Sequence, residues 1–400
     1  MKRFRLFVIA FCCTLLVTSA FAARTLSPNA EISLMTCSKG SELYTSFGHS
    51  AFRVYDAENG LNHIYNYGVF SFDTPNFYPK FLRGKLNYRL TREQFNRFKR
   101  AYVNDNRAIY QQNLNFTIEQ KQALYDYLEH NLLPENRYYL YDFFFDNCAT
   151  RLRDAVQNVL GDSLSFNDSF LKEDYSFRDL VDQCLIINTW PDFGVNLILG
   201  SVIDRKATPA ETMFLPTYLS DAFAVATMQQ NGRAVPLCQP KETVIERKMM
   251  ADETNGLLLP KGLLWLVFGG VLVLTMVQFL GTSTAKGLYF DALLFTVLGL
   301  IGLVMALMWL ATDHRACAVN WNVLWAFPTH LLVGGLLLRW QKYKWLRYYW
   351  LLTAVVSGGV LLLYVVGAGV QVLHPAFIPL ILLVLIRSIY VYYQYLTSNN

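Results

Sequence analysis

The sequence of 400 residues is poor in charge: only 16% of it is Asp, Glu, Lys or Arg, and the formal net charge is a mild +5. Several of the basic residues border apolar segments, and no run of like charges marks a solvated tail. That balance speaks against nucleic-acid binding. Cysteine is scarce too, with seven residues and no CxxC or His-rich spacing, so no zinc site is expected. Internal repeats and low-complexity tracts are absent, which excludes a solenoid.

What is present is unevenly placed. Residues 24–250 mix charged, aromatic and aliphatic side chains as a globular domain does, while the chain after Lys261 is mostly Leu, Val, Gly, Phe and Trp. The N-terminus reads as a secretory signal: Lys2, Arg3 and Arg5, an apolar stretch from Leu6 to Val17, then Ala20-Phe21-Ala22. The apolar run is short for a span, so an uncleaved anchor is the lesser alternative; either way the next domain is exported. Five apolar segments follow at 262–281, 289–311, 321–339, 347–366 and 373–394. Each approaches the ~20 residues needed to cross about 30 Å of hydrocarbon. The basic, aromatic loop from Arg339 to Arg347 belongs in the cytoplasm by the positive-inside bias. Counting back from it puts the N-terminal domain outside, in agreement with the signal. The expected division is 1–22 signal peptide, 23–220 exported domain, 221–260 juxtamembrane connector and 261–396 five-span domain.

The exported domain reads α+β. Strands are expected at Glu31–Cys37, Ser50–Tyr55 and Leu61–Tyr67, the last two around the hairpin signal Asn59-Gly60, and shorter ones at Ala108–Leu114 and Arg137–Tyr141. Thr91-Arg92-Glu93-Gln94 and Thr117-Ile118-Glu119-Gln120 have the form of capping boxes opening helices. Apolar residues at 149, 152, 156, 159 and 160 predict a helix directly after Cys148, ended by Gly161. Of the exported cysteines, Cys37, Cys148, Cys184 and Cys238, some are free to pair in an oxidising compartment, Cys184 with Cys238 for example.

Two motifs carry chemistry. Gly48-His49-Ser50 runs a glycine turn into a strand, and Asp146-Asn147-Cys148-Ala149 runs a loop into a helix. A thiol attacks carbonyls as its thiolate, and a helix N-terminus or a protonated histidine lowers its pKa. The unpaired N–H groups there suit an oxyanion, and His49 would move the proton. Each residue alone also fits a blander role, a buried small hydrophobe or a strand histidine. His63 and Asn66 both lie on the second hairpin strand as candidates to orient the imidazole. Alternation along the hairpin puts His49 on the face of Asn62, Ile64 and Asn66 and turns His63 away, which favours Asn66 unless a bulge intervenes.

The combination of motifs resembles the Lnb-type lipoprotein N-acyltransferase family. The marks are Gly48-His49, Tyr65-Asn66-Tyr67-Gly68 with Phe70 and Phe72 following, Asn147-Cys148, Asp192-Phe193-Gly194 and a five-span C-terminal domain. A strand histidine preceding a helix-borne Asn-Cys also resembles the circularly permuted papain-like fold of lecithin:retinol acyltransferase and the NlpC/P60 superfamily. The resemblance implies acyl transfer from a phospholipid, or from lipoprotein lipid, to the α-amino group of a lipoprotein's lipidated N-terminal cysteine. It makes Cys148 the nucleophile and His49 the base, gives His63 no role, and calls for no cofactor or metal. The implied location is the bacterial inner membrane, with the N-terminal domain periplasmic.

Other residues invite weaker assignments. Asn147 adjoins the thiol, and Phe143 and Phe144, with Phe145, either line an acyl groove or pack a core. Asp313, His314, Arg315, Asn320, Asn322 and His330 are polar groups on the outer side, suited to a headgroup or the lipoprotein, or else to helix–helix hydrogen bonds. Arg387 in the last span snorkels or pairs. Asp192 and Asp204 read as turn caps, and the sequon at Asn115 adds nothing in a prokaryotic protein. A cell-wall peptidase or amidase and a non-catalytic membrane module are the competing functions. Five spans exceed what tethering such a hydrolase needs, and only the module would tolerate Cys148→Ser.

Overall fold

A computed structural model describes residues 24–247, 258–281 and 285–397. The expected signal peptide and part of the connector lie outside the described residues. In chain order the N-terminal domain comprises β1 (Glu31–Cys37), β2 (His49–Asp56), β3 (Leu61–Val69), α1 (Phe77–Leu82), β4 (Asn87–Gln94), α2 (Phe95–Asn104), β5 (Ile109–Asn113), α3 (Ile118–Leu132), β6 (Tyr138–Leu140) and α4 (Cys148–Leu160). It continues with β7 (Leu164–Ser165), α5 (Phe177–Asp182), α6 (Trp190–Ile198), α7 (Pro209–Thr212), α8 (Pro216–Val225), β8 (Thr227–Gln230), β9 (Arg233–Pro236) and β10 (Glu242–Ile245).

Seven strands form one antiparallel sheet in the order β10-β5-β1-β2-β3-β4-β6, and β7-β8-β9 form a small second one. Strand alternation splits the packing. Leu34, Phe52, Val54, Tyr65 and Tyr67 meet Leu124 and Leu128 of α3, Leu152 and Val156 of α4, and Leu219 and Phe223 of α8. On the opposite face Met35, Ala51, Ile64 and Ile109 meet Phe95, Phe98 and Tyr102 of α2. Each fully buried Leu, Val or Phe here contributes about 1.5–3 kcal/mol.

Two expectations are corrected. Thr91-Arg92-Glu93-Gln94 opens no helix: it lies in β4, paired with β3, and α2 starts at Phe95. Sheet pairing overrides the local capping pattern. Thr117 and Gln120 do form the reciprocal box that starts α3. Nor do residues 221–245 form an irregular connector. They complete α8 and supply β8, β9 and β10, with β10 adding an edge to the main sheet beside β5. Cys37, Cys148, Cys184, Cys238 and Cys317 are all free. The suggested Cys184–Cys238 pair is not formed; Cys238 Sγ instead donates to Phe223 O at 3.2 Å.

The C-terminal part is helical: α9 (Pro260–Phe279), α10 (Ala285–Leu310), α11 (His330–Leu336), α12 (Leu346–Val365) and α13 (Phe377–Thr397). Among the described residues four helices are long and apolar enough to cross a membrane, not the five expected. The segment expected at 321–339 is broken into a 3-10 turn (Trp321–Leu324), the short α11 and a second 3-10 stretch (Leu337–Lys342). Pro328 lacks an N–H and disfavours helix in the residue before it, so α11 begins only after it. Asn320 and Asn322 are meanwhile held by the other domain. Arg387 of α13 is fully buried and paired, donating to both carboxylate oxygens of Asp291 on α10 at 2.7 Å and to Thr275 Oγ1 and Gln278 Oε1 of α9 at 2.7 Å.

The two parts are docked by polar contacts around α6. Asn320 Nδ2 donates to Leu197 O and Ile198 O at 2.8 and 3.0 Å. His374 Nε2 meets Asp192 Oδ2 at 3.0 Å, Val372 N–H donates to Asp204 Oδ2 at 2.9 Å, and Gly200 N–H donates to Ala316 O at 2.8 Å. A Cβ on Gly200 would lie 1.8 Å from Ala318 O, so only glycine permits this approach.

Candidate active site

His49 opens β2 and Cys148 opens α4, and the two meet at one end of the sheet. Local sequence explains both placements. Gly48 has φ +75°, a left-handed conformation that turns the chain into β2. Asn147 caps α4: its Oδ1 accepts from the N–H groups of Ala149 and Thr150 at 2.9 and 3.0 Å, and Thr150 Oγ1 accepts from Asn147 N–H at 2.8 Å. Its Nδ2 donates to Phe143 O and Phe214 O, both at 2.8 Å. Asn147 borders the cleft, yet its amide is spent on the fold. Arg151 donates to both oxygens of Asp146 at 2.5 and 2.7 Å and braces the loop before the thiol.

The His49 imidazole is hydrogen-bonded on two sides. Nε2 lies 2.5 Å from Asn66 Oδ1, and the Cys148 sulfur takes the other contact. The hairpin register, Phe52↔Tyr65 to Asp56↔Leu61, places His49 and Asn66 on one face without a bulge between β2 and β3. His63 faces away and meets Gln94 Nε2 at 2.9 Å. Gly68 has φ +85°, and a Cβ there would touch Cys148 Cβ at 3.6 Å, so β3 curls beside the thiol where a glycine sits.

Burial pushes the Cys148 thiol up, but the His49 charge and hydrogen bond, with the N–H groups of Ser50 and Ala149, outweigh it and hold the thiol below its ordinary value. Burial pushes His49 down, while the Cys148 charge, the Cys148 hydrogen bond and Asn66 bring it above the ordinary imidazole value. A second thiol, Cys37, is the register partner of His49 on β1. Its burial pushes it up to about 12, so it stays protonated. Of these two thiols, the one in contact with His49 is therefore the one shifted toward ionisation.

Cys148, His49 and Asn66 open into a cleft of about 710 Å³. Phe47, Phe70, Tyr88, Tyr141, Phe143 and Phe214 give it apolar walls. Phe143 is edge-on to Phe47 at 4.6 Å, whereas Phe144 is buried among Phe177 and Phe214 and belongs to the core, not the cleft. His314 borders the cleft and bonds Phe81 O at 2.9 Å, and the neighbouring Lys85 pairs with Asp313. The cleft thus abuts the outer end of α10. Beside it, Phe72, Tyr78 and Leu82 are 68%, 71% and 55% exposed and form an apolar rim.

Asn320, Asn322 and His330, also expected on the outer side, lie away from the cleft lining. Asn320 and Asn322 are buried against α6 and do not line the cleft. His330 is fully buried within the helices, bonded through Nδ1 to the Tyr349 hydroxyl at 2.7 Å and stacked on Trp350. Asp192 does cap a turn, its Oδ2 accepting from Asn188 N–H at 2.7 Å, Asp204 ends a 3-10 turn, and both also help dock the two parts. Sequence reasoning passed over Arg107, which also lines the cleft; lying just ahead of β5, it carries no motif. Among the described residues no three His, Cys, Asp or Glu side chains converge as metal ligands.

Residues 18–183 match the family model for the Lnb N-terminal periplasmic domain, and residues 252–399 match that for the Lnb transmembrane domain. No curated protein and no solved structure gave a match. With these two matches covering most of the chain in the family's order, the protein belongs to the Lnb family and is an inner-membrane protein whose N-terminal domain is periplasmic.

Proposed function

We propose that the chain is a thiol-dependent lipoprotein N-acyltransferase, with Cys148 as nucleophile, His49 as general base and acid, and Asn66 as the residue that orients the imidazole. The observation that carries this reading is the hydrogen-bonded line Cys148–His49–Asn66 in an apolar cleft beside the outer ends of the spans. Family membership supports the same reaction class. The order of a strand histidine before a helix cysteine supports a permuted papain-like arrangement.

In the first half-reaction the Cys148 thiolate bonds to the carbonyl carbon of a lipid ester. The Cys148 N–H at the start of α4, which the Asn147 cap does not use, holds the oxyanion. The intermediate collapses by breaking the carbonyl C–O bond, and the His49 imidazolium gives its proton to the leaving glycerol oxygen. In the second, the neutral α-amine of the lipoprotein's cysteine attacks the thioester. Its pKa of ~7.7–8.0 leaves a reactive fraction at neutral pH. His49 takes the amine proton, the C–S bond breaks, and the thiolate returns. Both substrates are lipid-anchored, so a cleft at the bilayer surface raises their effective concentration. Its apolar walls keep water from the thioester.

The test is mass spectrometry of lipoprotein N-termini from cells lacking the protein, complemented with wild type or Cys148→Ala. Loss of one acyl chain, restored by wild type alone, is expected. Unchanged N-termini with altered cell-wall peptides would replace this reading with a peptidase.

A further inference from the structure

We infer that Arg107 is an anion-binding residue of the cleft that takes the phosphodiester of a glycerophospholipid, so that the acyl donor is a phospholipid and not the uncharged diacylglyceryl group of the lipoprotein itself. The inference rests on the acyltransferase reading and deepens it.

Arg107 lies just ahead of β5 and lines the same cleft as Cys148 and His49. It is only 6% exposed. Its Nε donates to Ser38 O at 2.8 Å, and its guanidinium stacks over the Tyr102 ring at 4.6 Å. Those contacts fix the fork in place. They do not satisfy it: Nη2 is buried with no acceptor, and no carboxylate pairs with Arg107 among the described residues. A buried, unpaired guanidinium is costly, and the cost falls when an anion arrives. Other buried arginines here are neutralised, Arg178 by Asp204 and Arg387 by Asp291. Arg107 is the contrast, and it stands in the cleft.

The chemistry of the ligand follows. A guanidinium fork matches a phosphate diester. In a glycerophospholipid the phosphate and the acyl esters share one glycerol, so holding the phosphate places an ester carbonyl near by. Arg107 and His49 line the same cleft, so a phosphate held by one and an ester facing the other belong to a single lipid headgroup. A diacylglyceryl thioether offers the same esters without the anion. An Arg107 anchor therefore selects between the two donors.

The test uses the full chain in detergent micelles with three acyl donors: a phosphatidylglycerol, the matching diacylglycerol and p-nitrophenyl butyrate. Thioester on Cys148 is measured by mass spectrometry, and nitrophenol release by absorbance. Wild type should acylate faster from phosphatidylglycerol than from diacylglycerol. Arg107→Ala should lose roughly ten- to hundredfold of the phosphatidylglycerol rate, chiefly as a raised KM, the loss expected for one charge-assisted hydrogen bond. It should leave the nitrophenyl ester rate near wild type, and Arg107→Lys should keep part of the phospholipid rate. Equal loss on all three donors would make Arg107 a structural residue and overturn the inference. So would a wild type that uses diacylglycerol as well as phospholipid. Wild type that forms no thioester from any donor would defeat the acyltransferase reading itself, and the inference with it.

Discussion

His49 Nε2 and Asn66 Oδ1 lie 2.5 Å apart on neighbouring strands. That contact makes Nε2–H the donor and leaves Nδ1 as the nitrogen available to the Cys148 sulfur. Removing it should cost orientation before it costs folding. Asn66→Ala should slow acyl-enzyme formation by roughly 10–100-fold, in line with the loss of a group that positions a catalytic base, with little change in thermal midpoint. His63→Ala, whose ring faces away and meets Gln94, should leave the rate near wild type. Single-turnover acylation of the two variants checks both.

The coupled shifts at the thiol and the imidazole set a pH window. The thiol is held below its ordinary value and the imidazole above its own. Acylation needs the thiol ionised and the imidazole protonated, so its rate should rise as the thiol loses its proton and fall as the imidazole loses its own. Acylation should follow a bell. In Asn66→Ala the alkaline limb should move to lower pH, because a hydrogen bond that favours the charged imidazole is gone. An alkaline limb unchanged in that variant would contradict the assigned contact.

Asn147 spends its amide on the start of α4 and on two carbonyls. Asn147→Ala should lower stability by about 1–2 kcal/mol for the cap alone. Asn147→Asp keeps the cap and loses both donated bonds, so it should fall between Ala and wild type. Thermal unfolding in one detergent ranks the three. A substrate-binding role would instead lower activity at unchanged stability.

The buried Arg387–Asp291 pair holds α13 to α10 and α9. Arg387→Met leaves an unpaired buried carboxylate and should cost about 3–5 kcal/mol. The double variant Arg387→Met/Asp291→Leu should recover much of it. A double variant no better than the single would contradict pairing as the reason for this cluster.

The hairpin was readable because alternation needs only local register, and the four residues 57–60 between paired Asp56 and Leu61 preserve it. The helix after Cys148 was readable because its apolar spacing, its Asn cap and Gly161 agree. Failures came where distant partners decide. The Thr91–Gln94 pattern is locally a helix start, yet β3 claims it as a strand. Four-residue β10 has no signal of its own and exists because β5 offers an edge, more than a hundred residues away. Asn320 and Asn322 were visible as polar residues near a membrane, but not that α6 carbonyls would consume them. Arg107 stood outside every motif; only the fold brings it into the cleft that holds the thiol.

The most direct test of the central claim is intact-protein mass spectrometry of the purified full chain after incubation with phospholipid vesicles, with and without neutral hydroxylamine. The account predicts an added acyl mass on wild type that maps to Cys148, disappears with hydroxylamine, and is missing from Cys148→Ala. The same acyl mass on Cys148→Ala, or its resistance to hydroxylamine, would contradict it.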